Sequence, residues 1–176
     1  MQTVLLIQNN AVDGTAVRDA LINSRDEPFR VVWVRNCAGG IEVLAQTAAQ
    51  ESADPACITA ILADLSLPDS DGIETFARLI QAAPHIPILL LTAVQDEDVA
   101  KLAVQGGAHE YLLKDRLDAY LLPKAVSRMI ERAANTETLF EQKERAQIPL
   151  DSIGDAVVST DVAGRVTYLN VAAERL

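Results

Sequence analysis

Three polar side chains of complementary chemistry stand at the ends of short apolar runs. Asp64 follows CITAILA, Thr92 follows IPILLL, and Lys114 follows EYLL. A carboxylate, a hydroxyl and an ammonium gathered in one crevice can accept and hold a phosphoryl group. The carboxylate attacks phosphorus, while the hydroxyl and the ammonium hold the phosphoryl oxygens. Taken alone, an Asp after a strand is most often a helix cap or a turn former. Recurrence at three successive run ends is what turns these residues into a candidate site. The first apolar run ends differently, in the neutral amides Gln8, Asn9 and Asn10.

The elements that must position these groups follow from hydrophobic period. Residues 3–8, 29–35, 57–63, 86–91 and 110–113 are strand-length and mostly apolar, and 4–7, 58–63 and 86–91 are nearly continuous, as buried parallel strands require. Between them, 12–24, 38–51, 72–83 and 96–106 have helical spacing. Val17, Ala20, Leu21 and Ser24 follow i, i+3, i+4, i+7, as do Ile73, Phe76, Ala77 and Ile80. Pro28, Asp54-Pro55, Pro84 and Gly106-Gly107 supply the breaks, and Gly39-Gly40 also reads as a helix end. The order βαβαβαβαβ predicts an α/β domain with a parallel five-stranded sheet covered on both faces. Such sheets bind at the carboxyl ends of their strands, where Gln8, Asp64, Thr92 and Lys114 fall.

The stretch DLSLPDSDGIETF (64–76), with Leu91-Thr92-Ala93 and Tyr111-Leu112-Leu113-Lys114, resembles the receiver domain of bacterial two-component response regulators over about residues 2–130. The resemblance implies a flavodoxin-like (βα)5 fold with strand order 2-1-3-4-5. It implies Asp64 as phosphoacceptor, Thr92 as the hydroxyl that swings toward the phosphoryl group, Lys114 as its cationic partner and Tyr111 as an aromatic switch. Ser66 sits where the family offers a backbone carbonyl to a metal, beside Asp64 itself. The family ends its first strand with acids that hold Mg²⁺, whereas this chain has only amides there, so Asn9 is at best a weak ligand. Asp64 is then the only formal negative charge expected in the pocket, and Mg²⁺ binding is predicted to be weak or absent, because a hard dication wants anionic oxygens. Asp115 replaces a proline common after the lysine. Two readings stand beside a phosphoacceptor: a pseudo-receiver that signals by protein contacts alone, and a flavodoxin-like ligand-binding domain. The NNAVDGT stretch (9–15) is a poor phosphate loop for the latter.

Charge and length set the frame. The 176 residues are 49% hydrophobic and 23% charged, with net charge −10, which points away from a nucleic-acid or anionic-membrane binder. No apolar run approaches the roughly 18 residues of a membrane span. Cys37 and Cys57 read as free thiols in a cytoplasmic protein, and His85 and His109 lack metal-ligand spacing. Trp33 reads as a residue packed on the sheet.

A long helix is expected from Asp118 to about residue 146, with Asp118 as its N-cap; Pro123 lies deep for that start, which leaves a kink or a true start near Leu122 as the alternatives. Ala133, Thr136, Leu139-Phe140 and Lys143 form a poor heptad seam, from which a weak homodimer through residues 117–146 is predicted. Pro149 is expected to interrupt the chain. Residues 152–176 resemble the opening of a PAS sensor domain, with strands at 155–160 and 166–170 and a helix start at 171–176. The resulting scheme is a receiver over 1–130, a helical linker over 131–148 and a PAS fragment over 149–176. The resemblance implies a sensor histidine kinase or other phosphodonor as partner. It also implies a downstream effector such as a cyclic-di-GMP synthase, a phosphodiesterase or a histidine kinase. No enzymatic activity is expected in these residues.

Overall fold

The computed structural model describes residues 1–25, 27–48, 57–93, 97–152, 158–160, 163–169 and 173. The elements are β1 (Thr3–Ile7), α1 (Ala11–Ile22), β2 (Arg30–Val34), α2 (Cys37–Ala48), β3 (Ile58–Asp64), β4 (Ser66–Leu67), β5 (Ser70–Asp71) and α3 (Ile73–Ala82). After them come β6 (Ile88–Thr92), α4 (Glu97–Gln105), β7 (Glu110–Leu113), a 3₁₀ turn (Lys114–Arg116), α5 (Leu121–Ser152), β8 (Val158–Thr160) and β9 (Val166–Leu169). Contacts divide the chain into two compact units, Met1–Ala133 and Ala134–Leu176.

In the first unit the five strands form a parallel sheet in the order β2-β1-β3-β6-β7, the expected 2-1-3-4-5. The three central strands are buried along their whole length apart from Thr59, which explains why their sequences are apolar runs rather than alternations. Period-2 alternation sorts their side chains into two cores. Leu5, Ile7, Ile61, Ala63, Ile88 and Leu90 pack with α2, α3 and α4. Val4, Leu6, Ala60, Leu62, Leu89 and Leu91 pack with Val17 and Leu21 of α1 and Leu122, Val126 and Met129 of α5. Each fully buried Leu or Ile contributes roughly 1.5–3 kcal/mol, so the sheet is a stiff base for the residues at its edge.

Several expectations are corrected. Gly39-Gly40 lies in the first turn of α2, not at its end. A Cβ on Gly40 would stand 2.5 Å from Ile7 Cδ1, so the missing side chain lets α2 approach the sheet. Ile73 is exposed, and α3 buries Thr75, Phe76 and Leu79 instead. Helix α5 starts at Leu121: Asp118 Oδ1 accepts from the N–H groups of Tyr120 (2.6 Å) and Leu121 (3.3 Å). Pro123 therefore sits in the first turn, where its missing N–H has no helical acceptor to serve. The helix runs on through Pro149 to Ser152 rather than stopping there.

In the second unit β8 and β9 pair antiparallel, Val158 with Leu169 and Ser159 with Tyr168, with Gly164 at φ 79° in the connection. The break at Asp54-Pro55, the strand start at 155–157, the helix start beyond residue 170 and the side chains of Leu139, Phe140 and Lys143 lie outside the described residues.

Candidate functional site

The alternation that builds the two cores also sorts the residues at the carboxyl edge. Gln8 continues the face of Leu6, Asp64 that of Leu62 and Lys114 that of Leu112, all on the α1/α5 side. Thr92 continues the opposite face, that of Leu90, and Tyr111 packs against the α2–α4 core.

Asp64, the last residue of β3, is only 3% exposed. Its Oδ2 accepts from Lys114 Nζ at 2.5 Å, and its Oδ1 accepts from the Ser66 N–H at 3.1 Å. Thus Asp64, Lys114 and the backbone of Ser66 are brought together. Thr92 is fully buried, and its hydroxyl donates to the carbonyl of Ala93 at 3.1 Å. Tyr111 sits on the other side of the sheet from the Asp64–Lys114 pair.

The pocket also holds a second carboxylate. Asp13, in the first turn of α1, places Oδ2 3.8 Å from Lys114 Nζ. Asp64 is therefore not the only negative charge, and the ammonium faces carboxylates from both β3 and α1. The signal for Asp13 lies in its position three residues after Asn10, which puts it in the helical turn at the same sheet edge.

The three amides have separate fates. Gln8 is fully buried; its Oε1 accepts from the Asn10 N–H at 3.0 Å, while its Nε2 has no hydrogen-bond partner. The Gln8 carbonyl accepts from Trp33 Nε1 at 2.9 Å. Asn10 is the N-cap of α1, its Oδ1 accepting from Val12 N–H (2.8 Å) and Asp13 N–H (3.3 Å). Asn9 is exposed.

The loop after Asp64 is framed by many bonds. Ser66–Leu67 and Ser70–Asp71 pair as a small hairpin, and the Ser70 and Thr75 hydroxyls share a hydrogen bond of 2.8 Å. Gly72 turns the chain into α3 at φ 57°, a region that favours glycine, with its N–H donating to Leu65 O at 2.9 Å. Asp69 reaches across to α2: its Oδ1 and Oδ2 accept from the N–H groups of Cys37 and Ala38, each at 2.8 Å. Burial works against the charged Asp69 carboxylate. The N–H groups of Ala38, Cys37 and Asp69 itself, with the Arg78 guanidinium, outweigh it and hold the pKa below the ordinary 3.8. Nothing in the sequence marked this contact, since its partners are backbone groups about thirty residues away.

A hard dication does not fit this donor set. The side-chain oxygens of Gln8 and Asn10 are already committed to N–H groups, and the free end of the buried Gln8 amide is a donor. Both Asp64 oxygens carry N–H partners. Among the described residues no group of three or more His, Cys, Asp or Glu side chains is placed to hold a metal.

Residues 4–126 match the response regulator receiver domain. The chain is 25% identical over 168 residues to the transcriptional regulatory protein ZraR of Klebsiella oxytoca, spanning 96% of this chain and 35% of ZraR. Over 48 residues it is 48% identical to the probable diguanylate cyclase DgcE of Escherichia coli, 27% of this chain and 4% of DgcE. A response regulator receiver domain protein of Clostridium thermocellum superimposes with TM-score 0.62 at 21% identity, covering 80% of this chain and 99% of that one, which speaks for the fold alone. With the match covering both cores and every strand end of the pocket, the chain belongs to the response regulator receiver domain family of two-component signalling.

Proposed function

We propose that this chain accepts a phosphoryl group on Asp64 and passes the resulting change to an effector domain. The observation that carries the reading is the buried Asp64 carboxylate at the carboxyl edge of the sheet, paired with the Lys114 ammonium. In this scheme Asp64 is the nucleophile and Lys114 neutralises charge that moves onto the phosphoryl oxygens. Thr92 leaves the Ala93 carbonyl for the phosphoryl group, and Tyr111 answers on the opposite face as the switch. A sensor histidine kinase or another phosphodonor supplies the group. Mg²⁺ takes little or no part: Asn9 and the Ser66 carbonyl are weak substitutes for the acids that would hold it.

The output is assigned by analogy. DgcE and ZraR favour an effector that makes a cyclic dinucleotide or regulates transcription. The chain spans about a third of ZraR and far less of DgcE, so those activities belong to the relatives. The acidic balance of these residues speaks against direct nucleic-acid or membrane binding. No helix among the described residues is long and apolar enough to cross a membrane. We place the protein in the cytoplasm, with a receiver over 1–130, a helical linker over 131–148 and a PAS-like start over 149–176, to which the β8–β9 hairpin belongs.

Incubation with acetyl phosphate, followed by intact mass, tests the reading. One added phosphoryl group is expected, and Asp64→Asn should abolish it. A pseudo-receiver is the second reading, favoured by the amides at Gln8 and Asn9. Failure of the unaltered chain to gain mass would select it.

A further inference from the structure

Gln8 Nε2 is a buried donor without a partner, beside the acceptor strand. The register pairs Ile7 with Ala63, so Gln8 and Asp64 stand one step further along neighbouring strands, on the same face of the sheet. Buried polar groups are nearly always satisfied, so an unpaired one is completed by a water or by a ligand. The amide cannot turn its oxygen outward without abandoning the Asn10 N–H. What it offers this edge of the sheet is therefore N–H, the complement of an anion rather than of a cation.

We infer that the pocket takes its phosphoryl group without a divalent metal, with Gln8 Nε2 donating to a phosphoryl oxygen and Lys114 supplying the positive charge. The inference rests on the reading of Asp64 as acceptor. With acetyl phosphate as donor, an Asp64 carboxylate oxygen attacks phosphorus. The bond from phosphorus to the bridging oxygen breaks, and acetate leaves with the electron pair. Before attack the ammonium holds Asp64 Oδ2; Asp13, 3.8 Å from Nζ, gives it a second carboxylate to lean on as Asp64 becomes a mixed anhydride. The new acyl phosphate then presents anionic oxygens to Lys114 and to the Gln8 amide. A metal would supply the same neutralisation from carboxylate ligands, which the end of β1 lacks.

The 176-residue chain is incubated with acetyl phosphate in excess EDTA and, separately, in MgCl₂, and phosphorylation is followed by intact mass. Rates equal within about twofold are expected, since no step waits on the metal. Gln8→Glu, which keeps an acceptor for Asn10 and replaces the donor by oxygen, should slow the reaction in EDTA by about 100-fold and regain rate with Mg²⁺. Gln8→Met should lose the rate in both buffers; its amide NMR spectrum shows whether it is folded. Phosphorylation of the unaltered chain only with Mg²⁺ overturns the inference and leaves the acceptor reading standing. No phosphorylation in either buffer overturns the acceptor reading, and this inference with it. Should folded Gln8→Met react as fast as the unaltered chain, Gln8 is not a phosphoryl ligand.

Discussion

Lys114 holds its ammonium 2.5 Å from one carboxylate and 3.8 Å from another, with only 22% of its side chain exposed. A dication entering this site meets an internal cation already on Asp64, and the side-chain oxygens of Gln8 and Asn10 already accept from backbone N–H groups. Calorimetric titration with MgCl₂ should accordingly stay flat through the millimolar range. Asn9→Asp adds a carboxylate at the exposed end of β1 and should tighten Mg²⁺ by about tenfold or more, because affinity follows ligand charge. Saturable binding by the unaltered chain would refute the charge argument. At this scale the Asp64–Lys114 pair was legible, since each is a polar residue closing an apolar run; Thr92 closes one too, but its hydroxyl is bonded to the Ala93 carbonyl and not to that pair. Asp13 and the orphaned Gln8 amide were not, since their significance depends on how α1 returns to the sheet and which end of an amide faces inward.

At the scale of elements, Asp69 ties the loop after β3 to the first turn of α2 through two charge-assisted hydrogen bonds. Asp69→Ala should lower stability by about 1 kcal/mol near neutral pH, as loss of a helix cap does, with solvent exposure holding it toward the low side. The carboxyl pKa is depressed in the folded state, so its contribution is complete above the unfolded value of 3.8 and fades as pH falls through the lower folded pKa. Urea unfolding of both chains at pH 7 and below pH 3 should therefore give curves that differ at the first pH and converge at the second. The helices and strands themselves were largely readable from period and breakers, to within a few residues. The β4–β5 hairpin was not, because two-residue strands carry no period. Gly39-Gly40 misled because glycine marks both helix ends and close helix–sheet contacts, and only Ile7 behind Gly40 decides which.

For the whole molecule, charge and helix length matter most. Residues 1–115 carry 16 acidic and 7 basic side chains, against 9 and 8 in residues 116–176. Residues 1–115 of two copies brought close together would repel at low salt. The 32 residues of α5 span about 48 Å, and their buried contacts with the first unit's core end near Ile130. We predict a weak homodimer through residues 117–146. Sedimentation of the 176-residue chain should show mass rising with concentration, whereas a chain ending at Ile130 stays monomeric. Equal monomer masses would remove the helix as a dimer element. The seam was legible as a pattern only, since Leu139, Phe140 and Lys143 lie outside the described side chains.

Trp33 is the single tryptophan of the chain, and its indole nitrogen is tied to the carbonyl of Gln8. Arg18 and Arg35 stand 5.9 and 5.7 Å from its ring centroid. An indole with two guanidinium groups within 6 Å of its ring centroid sits in a field that changes with the charge around it. Emission excited selectively from indole therefore originates one hydrogen bond away from the strand end that carries the Gln8 amide. Light emitted by the bulk solution under indole-selective excitation is, for this molecule, a local measurement made at the rim of the pocket, with no label attached.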